Sequence, residues 1–139
     1  MKPEIAKMWT DALRSGKYKQ GKYNLRKYKL GIVEYCCLGV LCEIYARTQE
    51  GQQSDLITTA QFSQMMPDSI MGQECEAPYA GASEYLPYAV VNWAGMGSYN
   101  PIIPVNEPQT PQTLSDINDS LRVSFNEIAD MIELHAESI

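Results

Sequence analysis

The sequence predicts an α+β fold, mainly helical, in a single compact domain with a buried central helix and a small β-sheet or hairpin. Three observations carry that reading. Ile5, Met8, Trp9, Ala12 and Leu13 recur with helical spacing, so the first segment has one apolar stripe to bury. The run Cys36 to Arg47, CCLGVLCEIYAR, is apolar nearly all round a helical wheel, and such a helix belongs inside the molecule. Between them, Gly21 and Gly31 punctuate stretches long enough only for short strands. With 139 residues, 45% of them hydrophobic, the chain can bury a core of its own.

Element by element, Pro3 suits the first turn of a helix running to Arg14, and Gly16 can close it in a left-handed cap. A basic, tyrosine-rich loop follows, leading into strands around 24–29 and 31–35. Gly39 inside the apolar helix is unfavourable by about 1 kcal/mol relative to Ala, which points to close packing against another backbone. Gly51 is expected to stop that helix. Residues 52–84 read as a long, partly irregular insert holding one short strand or a turn of helix. Leu86–Ala94 is a short helix with Pro87 in its first turn and Gly95 at its end. Residues 96–110 are extended. A short helix starts at Thr110 and Pro111 and carries Leu114 and Ile117. Ser124 caps the last helix, and Glu127 completes a capping box ahead of the stripe Phe125, Ile128, Ala129 and Ile132.

Charge is distributed unevenly. Nine of the eleven Lys and Arg fall in the first 29 residues, against only Glu4 and Asp11, and Tyr18, Tyr23 and Tyr28 are interleaved with them. Cations with flat rings suit a nucleotide or a single strand, whereas the same residues also suit a solvated hairpin with half-buried tyrosines. The net charge of −6 argues against duplex DNA as a partner, since duplex binding needs many phosphate contacts. No apolar run approaches a membrane span, and the N-terminal segment has no apolar core of a signal peptide, so a cytoplasmic protein with no membrane partner is expected. Its cysteines are then reduced, and their spacing lacks the CxxC pairs of a zinc site.

Cys36 or Cys37 at a helix start could be an activated thiol, but His135 is the only histidine and nothing orients it toward them. Inert, buried cysteines are the expected alternative. Asp116 with Asp119, and Asp130 with Glu133, fit solvated helix faces. SFNEIADMI is like the first helix of a helix-turn-helix, with no recognition helix after it. Gln20 and Asn118 each offer a donor and an acceptor, as groups that read base edges do, although Asn118-Asp119 also suits a helix end.

Four phrases together resemble a widespread family of small phage-encoded proteins: WTDALRSGKYKQG (Trp9–Gly21), YCCLGVLC (Tyr35–Cys42), WAG (Trp93–Gly95), and LSDIND with SFNEIADMI (Leu114–Ile132). The match covers most of the chain outside 52–84. The resemblance implies a non-enzymatic anti-defence protein that binds and sequesters cyclic oligonucleotide immune signals, with a cyclic di- or trinucleotide as partner and no cofactor or metal. In that expectation Arg14, Lys19 and Arg26 hold phosphates, Tyr18 and Trp93 stack on bases, and Gln20 and Asn118 read base edges. A homo-oligomer would add sites at subunit junctions. The alternatives are an inhibitor or host-takeover factor docking its acidic surface on a basic protein, and a cysteine-dependent nucleotide hydrolase.

Overall fold

Trp9 sits at the meeting point of the core in the computed structural model, which describes residues 1–67, 72–105, 111–120 and 122–139. It lies on α1 (Pro3–Arg14), fully buried, and its indole N–H donates to the Cys37 carbonyl at 2.9 Å. Burying so large a ring requires a partner for that N–H, and the backbone of the next helix supplies it. The buried stripe of α1 is Ile5, Ala6, Trp9, Thr10 and Leu13, whereas Met8 is half exposed. The stripe is thus rotated from the expected one, because α1 packs on two helices at once, α2 (Cys37–Arg47) and α7 (Phe125–His135).

The central helix is α2, as the all-round apolar pattern predicts. Cys36 caps it, its sulfur accepting from the Gly39 amide at 3.4 Å. Gly39 meets its expectation: a Cβ there would lie 1.6 Å from the Leu25 carbonyl oxygen, so only glycine permits the contact. Gly51 does not stop α2. The helix ends at Thr48, which caps α3 (Gln49–Gln52), and Gly51 lies within α3 because a Cβ would strike the Tyr45 carbonyl at 1.9 Å.

Four short strands form one sheet in the order β1 (Lys19–Gln20), β3 (Ile32–Tyr35), β2 (Arg26–Lys29), β4 (Cys75–Glu76). β2 and β3 are an antiparallel hairpin, pairing Arg26 with Tyr35 and Lys29 with Ile32. Leu30 and Gly31 form its two-residue turn, both at positive φ, which matches the twist of the flanking strands. β1 joins β3 in parallel and β4 joins β2 in antiparallel register.

The 52–84 insert is more ordered than its composition suggests. It contains α4 (Thr59–Met65), started by a Thr58–Gln61 capping box, as well as β4 and a Tyr79–Ala82 bridge. The expected apolar Ile70 and Met71 lie outside the described residues. α5 (Tyr88–Ala94) ends on Gly95 at φ 67. β5 (Ile102–Ile103) pairs with β6 (Gln112–Thr113), and that pairing delays the next helix. α6 (Leu114–Asp119) therefore starts from a Thr113 cap and not from Thr110, which lies outside the described residues. The capping box of Ser124 and Glu127 opens α7 as expected. Among the described residues no helix is long and apolar enough to cross a membrane.

One feature of α2 escaped the wheel. Glu43, in the middle of the apolar run, is fully buried and faces an equally buried Arg26 at 3.4 Å. Its carboxylate also accepts from the Thr59 amide at 3.0 and 3.1 Å, the Thr59 hydroxyl at 3.1 Å and the Tyr79 hydroxyl at 2.8 Å. Arg26 donates to the carbonyls of Ala77, Ile57 and Pro78, and its guanidinium lies 3.9 Å from the Tyr79 ring centroid. Glu43 also meets Arg47, a solvent-facing cation, at 3.3 Å. Removing Arg26 leaves the buried carboxylate with only that screened partner, whereas replacing both buried members by apolar residues leaves no buried charge. Arg26→Met should therefore lower unfolding free energy by about 3–5 kcal/mol in urea titrations, and Arg26→Met combined with Glu43→Leu should recover most of it. A single variant as stable as wild type would show the pair to be dispensable.

Candidate anion-binding site

Five of the nine cations of the basic segment are paired with carboxylates, four of them with residues from the rest of the chain. Arg14 reaches Asp130 at 2.6 Å and Glu133 at 3.0 Å on α7, and the hydrogen bond to Asp130 does most to push its pKa up. Lys19 faces Glu34 at 3.6 Å, Lys27 faces Glu74 at 3.4 Å, and Lys7 pairs with Asp11 at 2.7 Å. Arg26 is withdrawn altogether. Its donors are taken by Glu43, Thr59 and three carbonyls, so it cannot hold a phosphate at the surface, and its expected role is corrected to a structural one. The physical reason is Glu43, a buried carboxylate that needs a buried cation.

Asn118 is likewise committed. It is fully buried, and its Oδ1 accepts from the Cys37 amide at 3.0 Å, at the first turn of α2. Its Nδ2 donates to the Gly21 carbonyl at 2.9 Å and to Asp119 at 3.2 Å. Engaged on both sides, it clamps three segments and has no free edge to read a base, so the base-reading role is corrected too. Gln20 reaches the Val123 carbonyl at 3.0 Å through Nε2, with a long contact to Asn118 at 3.5 Å, while its Oε1 accepts nothing among the described residues. Tyr18 and Trp93 are half-buried and packed on the core. Tyr18 lies edge-on to Tyr35 with centroids 5.1 Å apart, and Trp93 tilts against Tyr45 at 5.3 Å.

Of the expected residues, Gln20 and Asn118 line one cavity, whereas Arg14, Tyr18, Lys19, Arg26 and Trp93 are not among its lining. That cavity, of about 340 Å³, opens between the end of β1, the end of α6 and the start of α7, and Lys22, Ser120, Arg122, Val123, Ser124 and Glu127 complete its lining. Lys22 and Arg122 make no ion pair among the described residues. Glu127 is drawn away into the capping box, accepting from the Ser124 amide at 2.8 Å and hydroxyl at 3.0 Å, and the backbone bond foremost holds its pKa below the usual carboxylate range. The site therefore offers a point charge, a planar cationic fork and the Ser120 hydroxyl as donors for phosphate oxygens, with the Gln20 amide oxygen as an acceptor and the Glu127 carboxylate at its edge.

Beside it, Tyr23 has φ 70 and a side chain 68% exposed. Its amide donates to Asp119 Oδ1 at 2.9 Å, which holds the residue in a conformation unfavourable by roughly 1–2 kcal/mol for a side chain with a Cβ. Sequence reasoning missed Lys22, Tyr23 and Arg122 as a set. The signal for Arg122 was its isolation, one of two cations in an otherwise acidic stretch.

Three of the four thiols are withdrawn from solvent. Cys36, Cys37 and Cys42 are buried, and burial pushes the Cys36 thiol up to about 12 and the other two well above their ordinary value. Cys37 instead donates weakly to the Leu114 carbonyl at 3.6 Å, and His135 makes no ring hydrogen bond to either member of the pair. The hydrolase alternative, which needs a reachable thiolate and a base, finds neither at these cysteines. Among the described residues no group of three or more His, Cys, Asp or Glu could hold a metal ion.

A family model described as Domain of unknown function (DUF8296) matches residues 1–136. No curated protein and no solved structure matches the chain.

Because the thiols are neutral when folded and ionise more readily when unfolded, their stabilisation is intact below about pH 9 and declines toward pH 12, where Cys36 titrates in the folded protein. Urea titrations across that range should show stability falling by about 1.4 kcal/mol per pH unit from Cys36 alone. At pH 8 an alkylating reagent should modify the partly exposed Cys75 and spare the other three unless denaturant is added. Rapid labelling of Cys36 or Cys37 in the native protein would overturn their assignment as inert.

Proposed function

We propose that this chain, which belongs to the family described as Domain of unknown function (DUF8296), works by holding an anionic nucleotide without turning it over. The ligand class is a cyclic di- or trinucleotide, and the role is sequestration: a phage-encoded sponge that lowers the free concentration of an immune signal in the host-cell cytoplasm. One observation carries the reading. Lys22 and Arg122, one hundred residues apart in the chain, line the same cavity and make no ion pair among the described residues, in a protein that pairs six of its nine other cations.

The chemistry follows from those side chains. A phosphodiester carries one delocalised charge, which the Arg122 fork can meet with two parallel bonds while Lys22 approaches as a point charge. Gln20 Oε1 is left to accept from a base N–H, and Ser120 can donate to a bridging or terminal oxygen, while the Ser124 hydroxyl is committed to Glu127. At about 340 Å³ the cavity stands near the lower end of small-molecule sites and suits one nucleotide unit. A cyclic ligand would extend beyond it, so a second copy completing the site favours a homo-oligomer. Neutral, buried thiols support binding over turnover.

A second reading has its own observation. Tyr85 and Tyr99, each about half exposed, flank another cavity of about 620 Å³ with Glu76 and Glu84, a surface able to receive cationic side chains of a protein partner.

Calorimetry with cyclic diadenylate, cyclic diguanylate and cyclic triadenylate should find one ligand whose affinity drops roughly ten- to hundredfold in Lys22→Glu and in Arg122→Glu, as expected for losing a charged hydrogen bond. Affinity should also weaken with salt, and both variants should stay within about 0.5 kcal/mol of wild-type stability. Recovered ligand should be intact by chromatography. Linear product would mean an enzyme, and failure of all three ligands to bind would leave the tyrosine–acid surface as the better reading.

A further inference from the structure

Resting on that reading, we infer that Tyr23 is the stacking platform for the base of the bound nucleotide, replacing Tyr18 and Trp93 in that role. Two features single it out. Its ring packs on nothing in the core, being 68% exposed, while the other two tyrosines of the basic segment are buried or half-buried. Its backbone is nevertheless held, because Asp119 fixes the amide at 2.9 Å in a left-handed conformation that a side chain disfavours. An exposed ring that adds no packing, kept on a strained but anchored backbone, is explained by what it presents outward.

Its position supplies the ligand. Tyr23 is not itself part of the cavity lining, but Lys22 precedes it in the chain, and Asp119, which holds its amide, lies in the chain between the lining residues Asn118 and Ser120. The charges there give the ligand a direction. Phosphate is drawn to Lys22 and Arg122 and repelled by Asp119, so the uncharged base is the part that turns toward Tyr23. A ring face accepts any base, so stacking at Tyr23 sets affinity for aromatic anions as a class, while the identity of the base is read elsewhere.

The test uses three variants of the full chain with the cyclic nucleotide that wild type binds best. Tyr23→Phe keeps the ring. Tyr23→Ala removes it and keeps the strain, whereas Tyr23→Gly removes it and relieves the strain. Calorimetry should show Phe within about twofold of wild type, and Ala and Gly both weakened by roughly 5- to 150-fold, the equivalent of one lost base–aromatic stack. Melting temperature should not follow that order, because Gly should melt at or above wild type. If Gly binds like wild type, the position serves only the backbone and the inference falls. If Ala and Gly bind like wild type while Lys22→Glu does not, this inference is overturned and the cavity reading survives. If wild type binds none of the nucleotides, both fall together.

Discussion

The buried pair of Arg26 and Glu43 is the interaction that the rest of the molecule is arranged to satisfy. A carboxylate in the centre of an apolar helix is tolerable only with a cation and a full set of donors, since desolvating it alone would outweigh much of the net stability of a domain this size. The donors come from far along the chain: Thr59 at the start of α4, Tyr79 from the loop beyond β4, and Arg26 from β2. Meeting that demand lays the 52–84 insert against the sheet and against α2. Its polar composition thus forms structure because one buried charge organises it, together with the few apolar side chains it buries, Leu56, Ala77 and Tyr79. Arg26 adds an aromatic contact with Tyr79, which places the ring beneath the guanidinium and helps fill the space beside the pair.

The opposite end of α2 is tied by a neutral counterpart. Asn118 accepts the Cys37 amide and donates to the Gly21 carbonyl, joining the start of α2, the turn after β1 and the end of α6. These are the segments that frame the cavity carrying Lys22 and Arg122. Trp9 reinforces the same point by donating to the Cys37 carbonyl. The first turn of α2 is therefore fixed on both its amide and its carbonyl side, and the cysteines there serve as small apolar residues in a tightly packed place. A binding surface built on so constrained a base changes little when a ligand arrives, which favours affinity by limiting the entropy lost on binding.

Charge is reapportioned by folding. Along the chain the basic first 29 residues and the acidic remainder look like separate territories, yet tertiary contacts bring Asp130 and Glu133 to Arg14, Glu74 to Lys27 and Glu34 to Lys19. Exposed pairs of this kind add little stability, but they do remove field. What remains for an anion is set by the cations left over, among which Lys22 and Arg122 share a cavity. The net charge of −6 then discourages long polyanions and tolerates a small ligand bound locally.

The sequence by itself determined whatever depends on local periodicity and chain stereochemistry. The amphipathic α1, the all-apolar α2, the 26–35 hairpin and the Ser124–Glu127 capping box are each legible because their causes lie within a few residues. Gly39 was legible for a similar reason, since a glycine inside a helix signals a close neighbour without naming Leu25. Little of the site was legible: of the expected residues Gln20 and Asn118 line the cavity, and Asn118 does so with its amide already engaged. Asn118 and Arg26 were the right chemical types for a ligand, but tertiary structure spent their hydrogen bonds on Cys37, Gly21, Glu43 and three carbonyls. Conversely, Lys22 and Arg122 became candidates only when folding placed them in the lining of one cavity without ion-pair partners among the described residues. Whether a polar side chain is available to a ligand depends on partners that are distant in sequence, and only the tertiary structure assigns those partners.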